Sequence, residues 1–87
     1  KGTWMIQIGA YYKKAPAARR ASKAAEKLSK VGKRFDVAVM TGERKNRTVY
    51  RARLAGLSRQ DALDACRQLK RHKFDCIPMS PGRARGN

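Results

Sequence analysis

Residues 3–10 alternate as a strand does. Trp4, Ile6 and Ile8 share one face, Met5 and Gln7 the other, because successive strand side chains point to opposite sides. Gly9 falls where such a strand bends or bulges. The period then changes. From about residue 15 to residue 30, Ala18, Ala21, Ala25 and Leu28 recur at helical spacing, with Arg20, Lys23, Lys27 and Lys30 on the opposite side. Pro16 lies in the first turn, where its missing N–H costs no hydrogen bond. Gly32 follows as a left-handed cap.

The succession then repeats. Residues 35–41 alternate Phe35, Val37 and Val39 with Asp36, Ala38 and Met40. Residues 42–47 are polar and read as a hairpin loop. Residues 48–54 form a third strand, with Tyr50, Ala52 and Leu54 toward a core and Val49, Arg51 and Arg53 away from it. Ser58 with Asp61 three positions on is a helix-start signature. That helix runs to about His72, with Ala62, Ala65, Cys66 and Leu69 as its inner stripe. Residues 74–79 form a short last strand, and Pro78, lacking a donor, favours an edge. The order β-α-β-β-α-β predicts an α+β fold of the ferredoxin or RNP type. Its four-stranded antiparallel sheet carries both helices on one face. The other face is left bare.

Charge narrows the ligand. The chain has 87 residues, 22 Lys and Arg against six Asp and Glu, and a formal charge of +16. That length makes one domain with a modest core, which we place at residues 1–80, followed by a flexible tail at 81–87. The field favours polyanions, nucleic acid or an acidic cell envelope. About half of the basic residues are expected on solvated helix faces. No apolar run reaches the roughly 20 residues that span a bilayer, and there is no signal peptide. The abrupt start at Lys1-Gly2 reads as a domain taken from a longer protein.

Catalytic parts are scarce. The acids are Glu26, Asp36, Glu43, Asp61, Asp64 and Asp75, and no two of them form an acid–base pair. His72 is single and sits at a helix end, where it offsets the dipole. Cys66 and His72 are six apart on one helix and point to different faces, so no activated thiol results. Two cysteines and one histidine are too few for structural zinc. No catalytic residue, metal site or cofactor is expected. Cys66 and Cys76 instead stand on a helix and on the strand returning beneath it, a placement suited to a disulfide and to an oxidising compartment. Two buried free thiols remain the alternative.

On the bare face, Gln7, Arg51 and Arg53 project together from strands that should be neighbours. They offer many donors and one carbonyl acceptor. Met5, Val49, Met40 and Tyr12 supply apolar surface beside them. Such a mixture suits an N-acetylated glycan, whose hydroxyl and acetamido groups pair with amide and guanidinium while sugar C–H faces lie on apolar side chains.

Several of these segments resemble SPOR domains. Trp4-Met5-Ile6-Gln7-Ile8-Gly9-Ala10-Tyr11 is similar to their opening strand, and Tyr50-Arg51-Ala52-Arg53-Leu54 to their third. Residues 62–69, with Cys66, followed by Asp75-Cys76, resemble the closing helix and strand. The likeness spans about residues 3–79. It implies a peptidoglycan-binding module that takes glycan strands lacking stem peptides on its sheet face. By position the glycan site would comprise Gln7, Ala10, Val49, Arg51 and Arg53. A stem peptide would clash where the glycan lies flat. The resemblance further implies the periplasm or cell envelope, enrichment at the division septum, a monomeric domain, and a larger parent wall protein. The style of the second half resembles the C-terminal module of a D-alanyl-D-alanine carboxypeptidase.

The chain departs from the family at three places. Ala55-Gly56-Leu57 stands where Gly-Pro-Phe is common. Ala10 replaces a frequent Ser, and Val49 replaces an aromatic that some members carry. Affinity should therefore rest more on the arginines. Two other readings compete. A single-stranded RNA binder shares the topology but stacks bases on aromatics of its central strands, where this chain has Gln7, Arg51 and Arg53. A protein-docking adaptor with no polymer ligand is the third.

Overall fold

A computed structural model describes residues 2–29 and 35–82. The elements run β1 (Trp4–Tyr11), α1 (Lys14–Ser29), β2 (Asp36–Arg44), β3 (Arg47–Leu57), α2 (Arg59–Arg71) and β4 (Ile77–Met79). The strands form one antiparallel sheet in the order β2-β3-β1-β4. The α+β class, the element order and the edge position of Pro78 agree with the sequence reading. The expected cap at Gly32, Lys30 and, of the tail placed at 81–87, residues 83–87 lie outside the described residues.

One core joins the sheet to both helices. Ile6, Ile8, Ala52 and Leu54 meet Ala17, Ala21, Ala24 and Leu28 of α1 and Ala62, Ala65, Cys66 and Leu69 of α2. The inner stripe of α1 therefore differs from the predicted one: Ala17 and Ala24 are fully buried, whereas Ala18 and Ala25 are half-buried. Alanine on several helix faces left the pattern ambiguous by about one position. The stripe of α2 is as predicted. The Ser58 hydroxyl oxygen accepts from the Asp61 N–H at 3.0 Å, which satisfies one of the helix's free donors.

Cys66 and Cys76 are joined in a disulfide, with their Cα atoms 5.2 Å apart. It ties α2 to the segment entering β4. That strand pairs with β1 through three residues only: Ile77 with Gln7, Pro78 with Ile6, and Met79 with Met5.

The hairpin is longer than its polarity suggested. Pairing continues through Gly42–Val49, Glu43–Thr48 and Arg44–Arg47. Only Lys45 and Asn46 form the turn, both at positive φ (51° and 65°). This pattern characterises the tight two-residue turns whose twist matches that of paired strands.

Two irregularities set which side chains reach each face. Between Gln7 and Gly9 the register slips, so that Gln7 pairs with Arg53 and Gly9 with Ala52. The extra residue lies on β1. Simple alternation from Ile6 and Ile8 would send Ala10 into the core. After the slip Ala10 pairs with Arg51 and is exposed, while Tyr11 packs against the core. The second slip places two residues, Ala55 and Gly56, opposite Met5. Gly56 has φ +84°, a conformation open chiefly to glycine. It lets Leu54 and Leu57, three apart, both face the core.

Candidate functional site

Directly paired strand residues share a face, so the register maps the open side. One row crosses it as Met40, Arg51 and Ala10, and the next as Ala38, Arg53, Gln7 and Ile77. Met5 and Met79 close one end. The hairpin closes the other with Gly42, Val49, Arg44 and Arg47. All five residues assigned from sequence, Gln7, Ala10, Val49, Arg51 and Arg53, thus come to this face.

Two of them do not project from it as expected. Arg53 was expected to project from the bare face with Gln7 and Arg51, yet only 1% of it is exposed. Its side chain lies along the sheet, where its Nε–H donates to Gln7 Oε1 at 2.9 Å and Nη1 to Met40 Sδ at 3.4 Å. Val49, expected to offer apolar surface, is 3% exposed. It lines a hollow of about 60 Å³ with Ala10, Tyr11, Tyr12 and Arg44. The apolar surface a ligand can touch comes instead from Tyr12, Met40 and Ile77, which are exposed.

The Arg53 guanidinium has an unusual setting for a buried charge. Its polar partners are an amide oxygen and a thioether, and no carboxylate pairs with it among the described residues. Burial, and secondarily the charge of Arg51, lower its pKa. A guanidinium nevertheless stays protonated at physiological pH. A desolvated charge without a counter-ion opposes folding. Arg53→Met is therefore expected to leave the melting temperature unchanged or raised while weakening ligand capture several-fold. Thermal melts and pull-downs on the same samples check this, and a fall of several degrees would contradict it.

Arg51 is half-buried and reaches across β2. A Cβ built at Gly42 would overlap its Nη1. Gly42 thus leaves room for the guanidinium to lie over the strand. Gly42→Ala should push that flexible end aside, weakening binding several-fold with little change in the melt. Unchanged binding would mean that the position of Arg51 is immaterial.

Sequence reasoning missed Arg44 and Arg47, which the long hairpin brings to the same face. Arg47 stacks on the Tyr12 ring at 3.8 Å, a cation–π contact. The available signal was the Lys45-Asn46 pair between alternating residues, which suits a two-residue turn. Beside Gln7 and Ile77, a cleft of about 490 Å³ opens past the end of β4, lined also by Gly9, Lys70, Phe74 and Asp75.

The bridged cysteines leave neither thiol free as a nucleophile. Asp64 is engaged by Arg67 and Gln60. An open sheet face set with amide and guanidinium groups among apolar side chains is built as a surface for binding a polar ligand.

The chain belongs to the SPOR domain family, whose model matches residues 1–80. It is similar to the peptidoglycan binding domain of the B. subtilis cell wall lytic enzyme CwlC. The two share 30% identity with a TM-score of 0.62, over 91% of this chain and 89% of that one. The RlpA SPOR domain from Pseudomonas aeruginosa has the same fold, at 21% identity and a TM-score of 0.64, over 90% of this chain and 99% of that one. No curated protein sequence matches significantly.

Proposed function

We propose that this chain is a peptidoglycan-binding module. It takes glycan strands lacking stem peptides on its open sheet face and directs a larger wall protein, such as a D-alanyl-D-alanine carboxypeptidase, to the division septum. The observation that carries this reading is the pair of half-exposed groups Gln7 and Arg51, positioned beside the buried Arg53 that bonds Gln7 and flanked by exposed Met40, Tyr12 and Ile77. Amide and guanidinium groups pair with sugar hydroxyl and acetamido oxygens, while the apolar side chains underlie the sugar's C–H faces. The similar B. subtilis domain, described as peptidoglycan binding, supports the same ligand. The disulfide fits the oxidising periplasm, and no described helix is long and apolar enough to cross a membrane.

The face is poorly made for RNA. Tyr11 and Tyr50 pair with each other and pack against the core. The exposed Tyr12 lies beyond the end of β1, against Arg47 of the hairpin, and not on a central strand. No aromatic stands where bases would stack on the central strands.

Pull-down on sacculi treated with an amidase, against untreated sacculi, tests the proposal. Stronger capture by the treated material is expected. Equal capture would remove the preference for bare strands, and no capture by either would remove the ligand.

A further inference from the structure

The arginines of the open face exceed what a neutral sugar chain requires. Arg44, Arg47, Arg51 and Arg53 share it, and their strand positions from 47 to 53 span roughly 20 Å at about 3.4 Å per residue. Arg53 is 1% exposed with no carboxylate on it. By register the one acid of β2 and β3 on this face is Asp36, at the far end beside Gly56. Asp75 lies off the sheet in the cleft past β4. Buried charges are normally paired, so a guanidinium kept without a counter-ion, two positions along the same strand face from a second arginine, suits a ligand that brings its own anion.

Stripping creates that anion. An amidase hydrolyses the amide joining the lactyl group of muramic acid to the stem peptide. Each hydrolysis consumes one water and leaves a lactyl carboxylate on the sugar and a free amine on the departing peptide. A stripped strand is therefore a regularly spaced polyanion, which the same strand with its lactyl groups still amidated is not.

Resting on the glycan reading above, we propose that the Arg51–Arg53 face recognises the free lactyl carboxylates of stripped strands. Preference for bare glycan is then recognition of a newly exposed charge as well as freedom from a steric clash. Arg51, half-exposed over Gly42, makes the direct contact. Arg53, two positions along β3, bonds Gln7 and Met40, holding them in place, and adds positive potential.

The test uses purified stripped strands, half of them converted to neutral methylamides with carbodiimide and methylamine. That change restores the amide and adds almost no bulk. The 87-residue chain is expected to bind unmodified stripped strands at least tenfold more tightly than methylamidated ones. Arg51→Gln, which keeps a donor but loses the charge, should bring the ratio close to unity. Substituting Arg19, Lys23 and Lys27 of α1 together by Gln should keep the ratio, because those charges lie on the helix. Equal affinity for both strands would overturn the carboxylate proposal and leave glycan binding intact. A full ratio in Arg51→Gln, or its loss in the helix variant, would overturn the assignment to this face. Equally tight binding of polyglutamate would also overturn it, reducing the face to a general polyanion surface. Failure to bind either strand would remove the glycan reading itself, and this proposal with it.

Discussion

Arg51→Ala is expected to weaken capture on amidase-treated sacculi by roughly 10- to 100-fold. A hydrogen bond to a charged group contributes about 1.5–3 kcal/mol, and each 1.4 kcal/mol is about tenfold in affinity. The guanidinium lies over Gly42 on the open face and outside the core cluster. Its loss should therefore change stability by no more than about 0.5 kcal/mol, as is usual for such positions. The two effects separate cleanly in a pull-down and a thermal melt. A variant that binds as the parent does would exclude Arg51 from the site. One that loses binding and stability together would make its role structural.

Removing the disulfide should have the largest effect on the fold. Cys66 and Cys76 are 10 apart in sequence, and closing so short a loop stabilises by about 3 kcal/mol in the chain-entropy model. A domain of this size has roughly 4–13 kcal/mol of total stability, so the bridge is a substantial share. Cys66→Ala combined with Cys76→Ala is expected to lower the melting temperature by roughly 10–20 °C. Adding reductant to the parent should reproduce much of that shift. The damage should reach the binding face, because β4 has only three residues and sets Ile77 beside Gln7. An unchanged melt in the double variant would mean that core packing alone holds β4.

How far the sequence revealed these features depended on the kind of pattern each one left. Alternation over 4–8 gave β1 because that strand has one buried face; over 35–41 it gave β2, an edge strand on which Val39 packs against the core and Val37 stays exposed. The stripe of α2 was legible because large and small apolar residues mark one side only. The stripe of α1 was not, since alanine at 15, 17, 18, 21, 24 and 25 fits neighbouring registers almost equally. The hairpin looked like a loop because its last pairs, Glu43–Thr48 and Arg44–Arg47, are polar on both faces. Its arginines were lost from the site for that reason.

Within the site, Gln7, Arg51 and Arg53 were assigned to the correct face by period alone. Ala10 was not, because a one-residue slip at Gln7–Gly9 inverts the alternation; its place came from family resemblance. Period also says which face a side chain leaves from, but not whether it stands up or lies down. Arg53 lies down because Gln7 Oε1 and Met40 Sδ meet its guanidinium along the sheet. Those contacts depend on the pairing of three strands.

The most direct test of the central claim is a map of amide chemical shifts as soluble stripped glycan fragments are titrated into the labelled domain. The predicted shifts cluster at Gln7, Ala10, Met40, Gly42, Arg51 and Arg53, with Ile77 at their margin. Shifts confined to α1, around Arg19, Lys23 and Lys27, with the open sheet face unmoved, would contradict the account.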